Sequence, residues 1–147
     1  MGKKKRIRSI AVCVFRRGDR IFVAEGYDSH KRETFYRPLG GGIKFGERAA
    51  DTIHRELMEE IDAEVSDVRY LGTLENIFVY EGEPGHQIAL VFDGRFNDPT
   101  MNDDEYTVEG REDNDLLFTA TWKSLDFFRD GKAPLYPDGL LTLLENQ

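Results

Sequence analysis

Apolar positions along the chain recur at two different periods. Runs at Ile7–Arg16, Arg20–Gly26, Val68–Tyr80 and His86–Phe96 have the composition of strands, with a short extended piece at Thr34–Pro38. From about Glu47 to Ile61 the spacing becomes helical, and Ala50, Ile53, Leu57 and Ile61 fall on one stripe. Arg17-Gly18-Asp19 between the first two strands is hairpin-turn chemistry, and Glu81-Gly82-Glu83-Pro84-Gly85 turns the chain between the last two. An acidic loop, Asn97–Asp115, precedes an apolar stretch around Leu116–Trp122. Ser124 then starts a short helix, and a terminal helix starts near Pro137-Asp138. Strands with helices scattered between them predict an α/β fold of the α+β kind, in which helices cover a central mixed β-sheet.

The helical segment carries chemistry on a second face. A helix advances about 100° per residue, so Glu56, Glu59 and Glu60 converge beside the apolar stripe. Glu56 and Glu60 repel each other at i,i+4, and a hard divalent cation held by carboxylate oxygens relieves that repulsion. Oxygen ligands favour Mg²⁺, or Mn²⁺, over zinc. Arg55 is close enough to hold a carboxylate in place. Upstream, Arg37-Pro38-Leu39-Gly40-Gly41-Gly42 offers backbone that a phosphate oxygen or metal can approach closely, near the positive end of the helix.

Together these residues resemble the Nudix box, G-x5-E-x7-R-E-U-x-E-E-x-G-U with U bulky and apolar. Gly41, Glu47, Arg55, Glu56, Leu57, Glu59 and Glu60 match it, while Asp62 replaces the last glycine and Ala63 the final apolar residue. Leu39 precedes the glycines, with Pro38 displaced from the family's usual Pro-Gly-Gly entry. That glycine position calls for a left-handed residue at the helix exit, where Asp is a poorer substitute. The resemblance implies an α/β/α sandwich and Mg²⁺-dependent hydrolysis of the pyrophosphate linkage in a nucleoside diphosphate joined to another group X. It implies Glu56, Glu59 and Glu60 as metal ligands with a Gly40 or Gly41 carbonyl, Glu47 as their support and Arg55 as their orienting group. A general base would come from the box or from Glu109, Glu112, Asp113 or Asp115 of the acidic loop. The alternative on the same fold is a non-catalytic nucleotide-binding or interaction module.

Substrate contacts are expected from Arg37, Gly40, Gly41 and Gly42, and from aromatic residues that border the site, Phe35, Tyr36, Phe78 and Tyr80, by stacking on a base. Tyr80 lies where diadenosine-polyphosphate-cleaving relatives carry a tyrosine, and Val79 where ADP-ribose-cleaving ones carry a proline. His30 and His86 are near enough to the expected pocket to contact phosphates, whereas His54 falls on the helix face away from the glutamates.

Size and charge narrow the remaining classes. The 147 residues suit one domain, 1–147. A net charge of −8 argues against a protein that coats nucleic acid. The basic start, Lys3-Lys4-Lys5-Arg6 with Arg8, reads as a solvated arm at a sheet end. The single cysteine, Cys13, excludes an intramolecular disulfide and suits a buried thiol in a strand. No apolar run reaches membrane-spanning length and no signal-peptide pattern is seen, so a cytoplasmic setting is expected. The expected partner is a small nucleotide, and a homodimer is open by analogy with the family.

Overall fold

The computed structural model describes residues 5–147; Lys3 and Lys4 of the basic start lie outside them. Seven strands run β1 Ile7–Cys13, β2 Arg20–Asp28, β3 Glu33–Gly42, β4 Val65–Tyr80, β5 Glu83–Phe96, β6 Thr107–Arg111 and β7 Leu117–Ser124. They form one mixed sheet of order β4-β5-β1-β3-β2-β7-β6, in which β1 and β5 are parallel and the other neighbours antiparallel. The helices are α1 Ala49–Ile61, α2 Leu125–Arg129 and α3 Leu140–Glu145, and a 3₁₀ turn spans Pro99–Asn102. None is long and apolar enough to cross a membrane.

Alternation along the strands builds two cores. On one face Ala11, Cys13, Phe15, Phe22, Ala24 and Phe92 pack with Ile53, Leu57 and Ile61 of α1. On the other, Ile10, Val12, Val14, Ile21, Val23 and Val91 pack with Leu125 and Phe128 of α2 and Leu140 and Leu144 of α3. The result is a sheet covered by helices on both faces, because successive side chains of a strand point to opposite sides. Cys13 is fully buried. Gly18 and Asp19 turn between Arg17 and Arg20, which exchange backbone hydrogen bonds at 2.9 and 3.1 Å.

Three elements depart from the pattern in the sequence. Gly40, Gly41 and Gly42 are not an open loop; they close β3 and pair with Val12, Ala11 and Ile10. Strand β4 begins before Val68 because an irregularity at Asp67, φ 54°, interrupts its alternation. Within the acidic loop, Thr107–Arg111 forms edge strand β6, whose side chains are mostly exposed and whose backbone pairs with β7. A short, charged edge strand leaves almost no hydrophobic signal.

Asp62 ends α1 at φ 56°, ψ 40°, and the Asp62 and Ala63 N–H groups donate to Met58 O and Leu57 O. This is the left-handed exit that the sequence calls for. Glycine adopts it without a Cβ penalty, so Asp62→Gly is expected to raise stability by about 0.5 kcal/mol, read as a higher urea midpoint with unchanged m-value.

Candidate active site

The box helix meets the sheet along its acidic face. Burial of Ile53, Leu57 and Ile61 fixes the rotation of α1, and that rotation buries Glu56 and Glu60, Glu56 against Gly41 of the central strand β3, while Glu59 stays half-exposed. Glycine at position 41 makes the approach possible: a Cβ there would stand 2.5 Å from Glu56 Cδ. The extended end of β3 therefore serves close packing against a carboxylate.

Arg55 ties the site together. Its Nε donates to Glu47 Oε2 at 2.7 Å, Nη1 to Glu56 Oε1 at 2.8 Å and Glu59 Oε2 at 3.4 Å, and Nη2 to Gly42 O at 3.0 Å and Glu47 Oε1 at 2.9 Å. Glu47 also accepts from Thr52 Oγ1 at 2.7 Å, and the bonds from Arg55 and Thr52 hold its carboxyl well below the usual range. Glu47 is thus a clamp on Arg55.

Glu56 is pushed up by burial, against the pull of Arg55. Glu60 is pushed further, from 4.5 to about 8, because burial outweighs the attraction of Arg37. Its Oε1 is buried without a hydrogen-bond partner. In the unfolded chain this group ionises near 4.5, so between there and about pH 8 the folded state binds more protons and stability falls as pH rises. Glu47 acts the other way, losing its contribution only below 4.5. In chelator, the urea midpoint is expected to be lower at pH 8 than at pH 5, and Glu60→Gln to flatten that difference.

Carboxylate oxygens of Glu56, Glu59 and Asp113 lie within 4.8 Å of one another. Asp113 is at the tip of the β6–β7 hairpin, which crosses from the far edge of the sheet. The sequence offered it as one of four candidate bases, and nothing local marked it as a neighbour of the helix. Glu60, expected with Glu56 and Glu59, is not a member of this group and is acted on by the charges of both Arg37 and Glu56. Glu112, beside Asp113, is ion-paired with Arg37, whose guanidinium also stands 5.5 Å from the Phe118 ring centre. Asp115 points away to Arg111, and Glu109 lines the cleft.

That cleft has a volume of about 1140 Å³ and runs from the carboxylates past Arg37, Gly40, Gly41 and Gly42 to an aromatic wall. Phe35 meets Tyr80 and Tyr136 edge-on at 5.7 and 5.6 Å, and Phe78 also faces the opening. Tyr36 does not: strand alternation turns it to the opposite core, against Phe127 and Phe128, so its expected place in the substrate site is corrected. His30 and His86 do not line the cleft, and His54 is exposed.

The sequence model of the NUDIX domain matches residues 5–137. The chain belongs to this family. Among curated relatives, the NAD-capped RNA hydrolases NudC of Pseudomonas syringae pv. syringae and of Pectobacterium carotovorum are 36% identical over 69 residues and 32% over 74. These matches cover 46% and 48% of this chain but 24% and 28% of the relatives, so the chain spans about a quarter of their length. The MutT NUDIX hydrolase of Burkholderia pseudomallei superposes with a TM-score of 0.65 at 18% identity, over 97% of this chain and 100% of that one. A NUDIX hydrolase of Nitrosomonas europaea gives 0.64 at 16%, over 96% and 88%. These likenesses show the Nudix fold.

A divalent cation suits the residues present. The three grouped carboxylates offer only oxygen, and Glu60 keeps a buried oxygen with no partner beside them in sequence.

Proposed function

We propose that this Nudix protein hydrolyses the pyrophosphate linkage of a nucleoside diphosphate joined to a group X, using Mg²⁺ or Mn²⁺. The observation that carries this is the grouping of Glu56, Glu59 and Asp113 at one end of a cleft whose other wall is aromatic. Glu56, Glu59 and Asp113 would hold the cation, with Glu60 and the Gly41 carbonyl adjoining. When bound, it would neutralise phosphate oxygens and lower the pKa of an attacking water.

The chain's own residues supply the rest. Arg37 faces the cleft and offers a planar fork for a phosphate, in exchange for its tie to Glu112. Phe35 and Tyr80 provide π-faces for a base. Arg55, held by Glu47, fixes the rotamers of Glu56 and Glu59. The proton of the water passes to a carboxylate of this group, and the Arg37 partnership makes Glu112 a poorer acceptor than Asp113.

The names of the NudC relatives add NAD and NAD-capped RNA to the substrates worth testing. Turnover in ¹⁸O-labelled water tests the reaction itself. Hydrolysis places one solvent oxygen on one of two phosphate-bearing products, whereas cleavage without solvent oxygen contradicts it.

A further inference from the structure

Arg6 of the basic start and Lys44 do not line the main cleft. Arg6 and Arg8 lie where β1 begins, and with Lys44 they line a second cavity of about 480 Å³. Its inner wall is the acidic group itself, Glu56, Glu59 and Asp113. Arg8, Gly42, Glu56 and Asp113 line both this cavity and the main cleft, so the two meet at the carboxylates. Arg8 is seated over Gly42, where a Cβ would lie 2.8 Å from its Nη2.

Among the described residues, Arg6, Arg8 and Lys44 take part in no ion pair, although carboxylates share their cavity. In a chain of net charge −8, that leaves three uncommitted cations at one mouth of the site. The aromatic wall belongs to the main cleft, Arg6 and Lys44 belong to the second cavity, and Glu56 and Asp113 stand where the two meet. A nucleoside on the aromatic wall and a scissile anhydride at the carboxylates would place the far part of X among the cations.

We propose that the second cavity is a phosphate subsite, which takes a phosphoryl group of X beyond the scissile anhydride. The inference rests on the hydrolase function proposed above and narrows it to substrates whose X is anionic. Such a group comes either from a polyphosphate chain or from the first backbone phosphate of a capped RNA.

The test uses the full chain and the Arg6→Gln/Lys44→Gln double variant, whose fold is checked by circular dichroism. KM is measured for a nucleoside triphosphate, for ADP-ribose, for NAD and for an NAD-capped oligonucleotide. Loss of two charge-assisted contacts is expected to raise KM roughly tenfold or more for substrates with the extra phosphate, and to move KM for ADP-ribose and NAD less than about twofold. A rise confined to the triphosphate identifies a polyphosphate subsite, and one confined to the oligonucleotide identifies a backbone-phosphate subsite. Equal shifts for all four, or none, overturn the inference and leave the hydrolase intact. Should the wild-type protein turn over none of these four, kinetics gives no readout of the subsite, and the hydrolase function is decided by the wider substrate panel. Calorimetry with inorganic tripolyphosphate and Mg²⁺ then decides the subsite: binding weakened roughly tenfold in the variant supports it, and equal or absent binding overturns it.

Discussion

Glu56→Gln and Glu59→Gln are each expected to lower metal-dependent turnover by more than about 100-fold, since loss of a ligand exceeds the loss seen when an outer partner of a ligand is removed. The two variants should differ in stability. Glu59 is half-exposed and contributes a single 3.4 Å contact to Arg55, so its amide leaves the melting temperature nearly unchanged. Glu56 is buried and bonded to Arg55 at 2.8 Å, so its amide weakens an enclosed ion pair and lowers the melting temperature measurably. Mg²⁺ titration by calorimetry checks the assignment independently of turnover. Glu112→Gln serves as the contrast. It releases Arg37 and removes no member of the carboxylate group, so turnover is expected to persist.

Gly40→Ala is expected to cost more than about 4 kcal/mol, a large share of the 5–15 kcal/mol that holds a typical domain together. The new Cβ would meet Ala11 O at 2.0 Å and Val12 Cα at 2.8 Å, both backbone atoms of β1 that no side-chain rotation can clear. The φ of Gly40, +149°, is also one that other residues rarely adopt. Relief requires β1 and β3 to separate, and β3 carries Gly41 against Glu56. Soluble yield and the urea midpoint measure the effect, and a midpoint within 1 kcal/mol of wild type would show that the strands part freely.

What could be foreseen from the sequence depends on whether the information is local. Glu56, Glu59 and Glu60 share a helix with the apolar stripe that orients them, so both the helix and its acidic face could be derived from spacing alone. The left-handed exit at Asp62 was expected from the glycine position of the box that the helix resembles. Strands with helices scattered between them pointed to a sheet covered by helices, and the structure resolves this into two cores, one beneath α1 and one beneath α2 and α3.

The remaining features are set by pairing between distant segments. Asp113 reaches the helix only because β6 and β7 form the far edge of the sheet and turn their hairpin tip back across the cleft. Tyr36 and Phe35 are adjacent and both aromatic, and the register of β3 against β2 decides which one faces the cleft. The glycines looked like loop because glycine is rare inside strands. Here the absence of Cβ atoms is what lets β3 pack against β1 and Glu56 at once.

The central claim is metal-dependent cleavage of a phosphoric anhydride at this carboxylate group. It is tested most directly by phosphate release, with a coupled phosphatase, from nucleoside triphosphates, dinucleoside polyphosphates, ADP-ribose, NAD and nucleotide sugars, with Mg²⁺ and with chelator, for wild type and Glu59→Gln. The account predicts turnover of at least one class with Mg²⁺, abolished by chelator and by the variant. Turnover that survives both, or none from any substrate while nucleotide binding persists, would contradict it and favour a non-catalytic nucleotide-binding module.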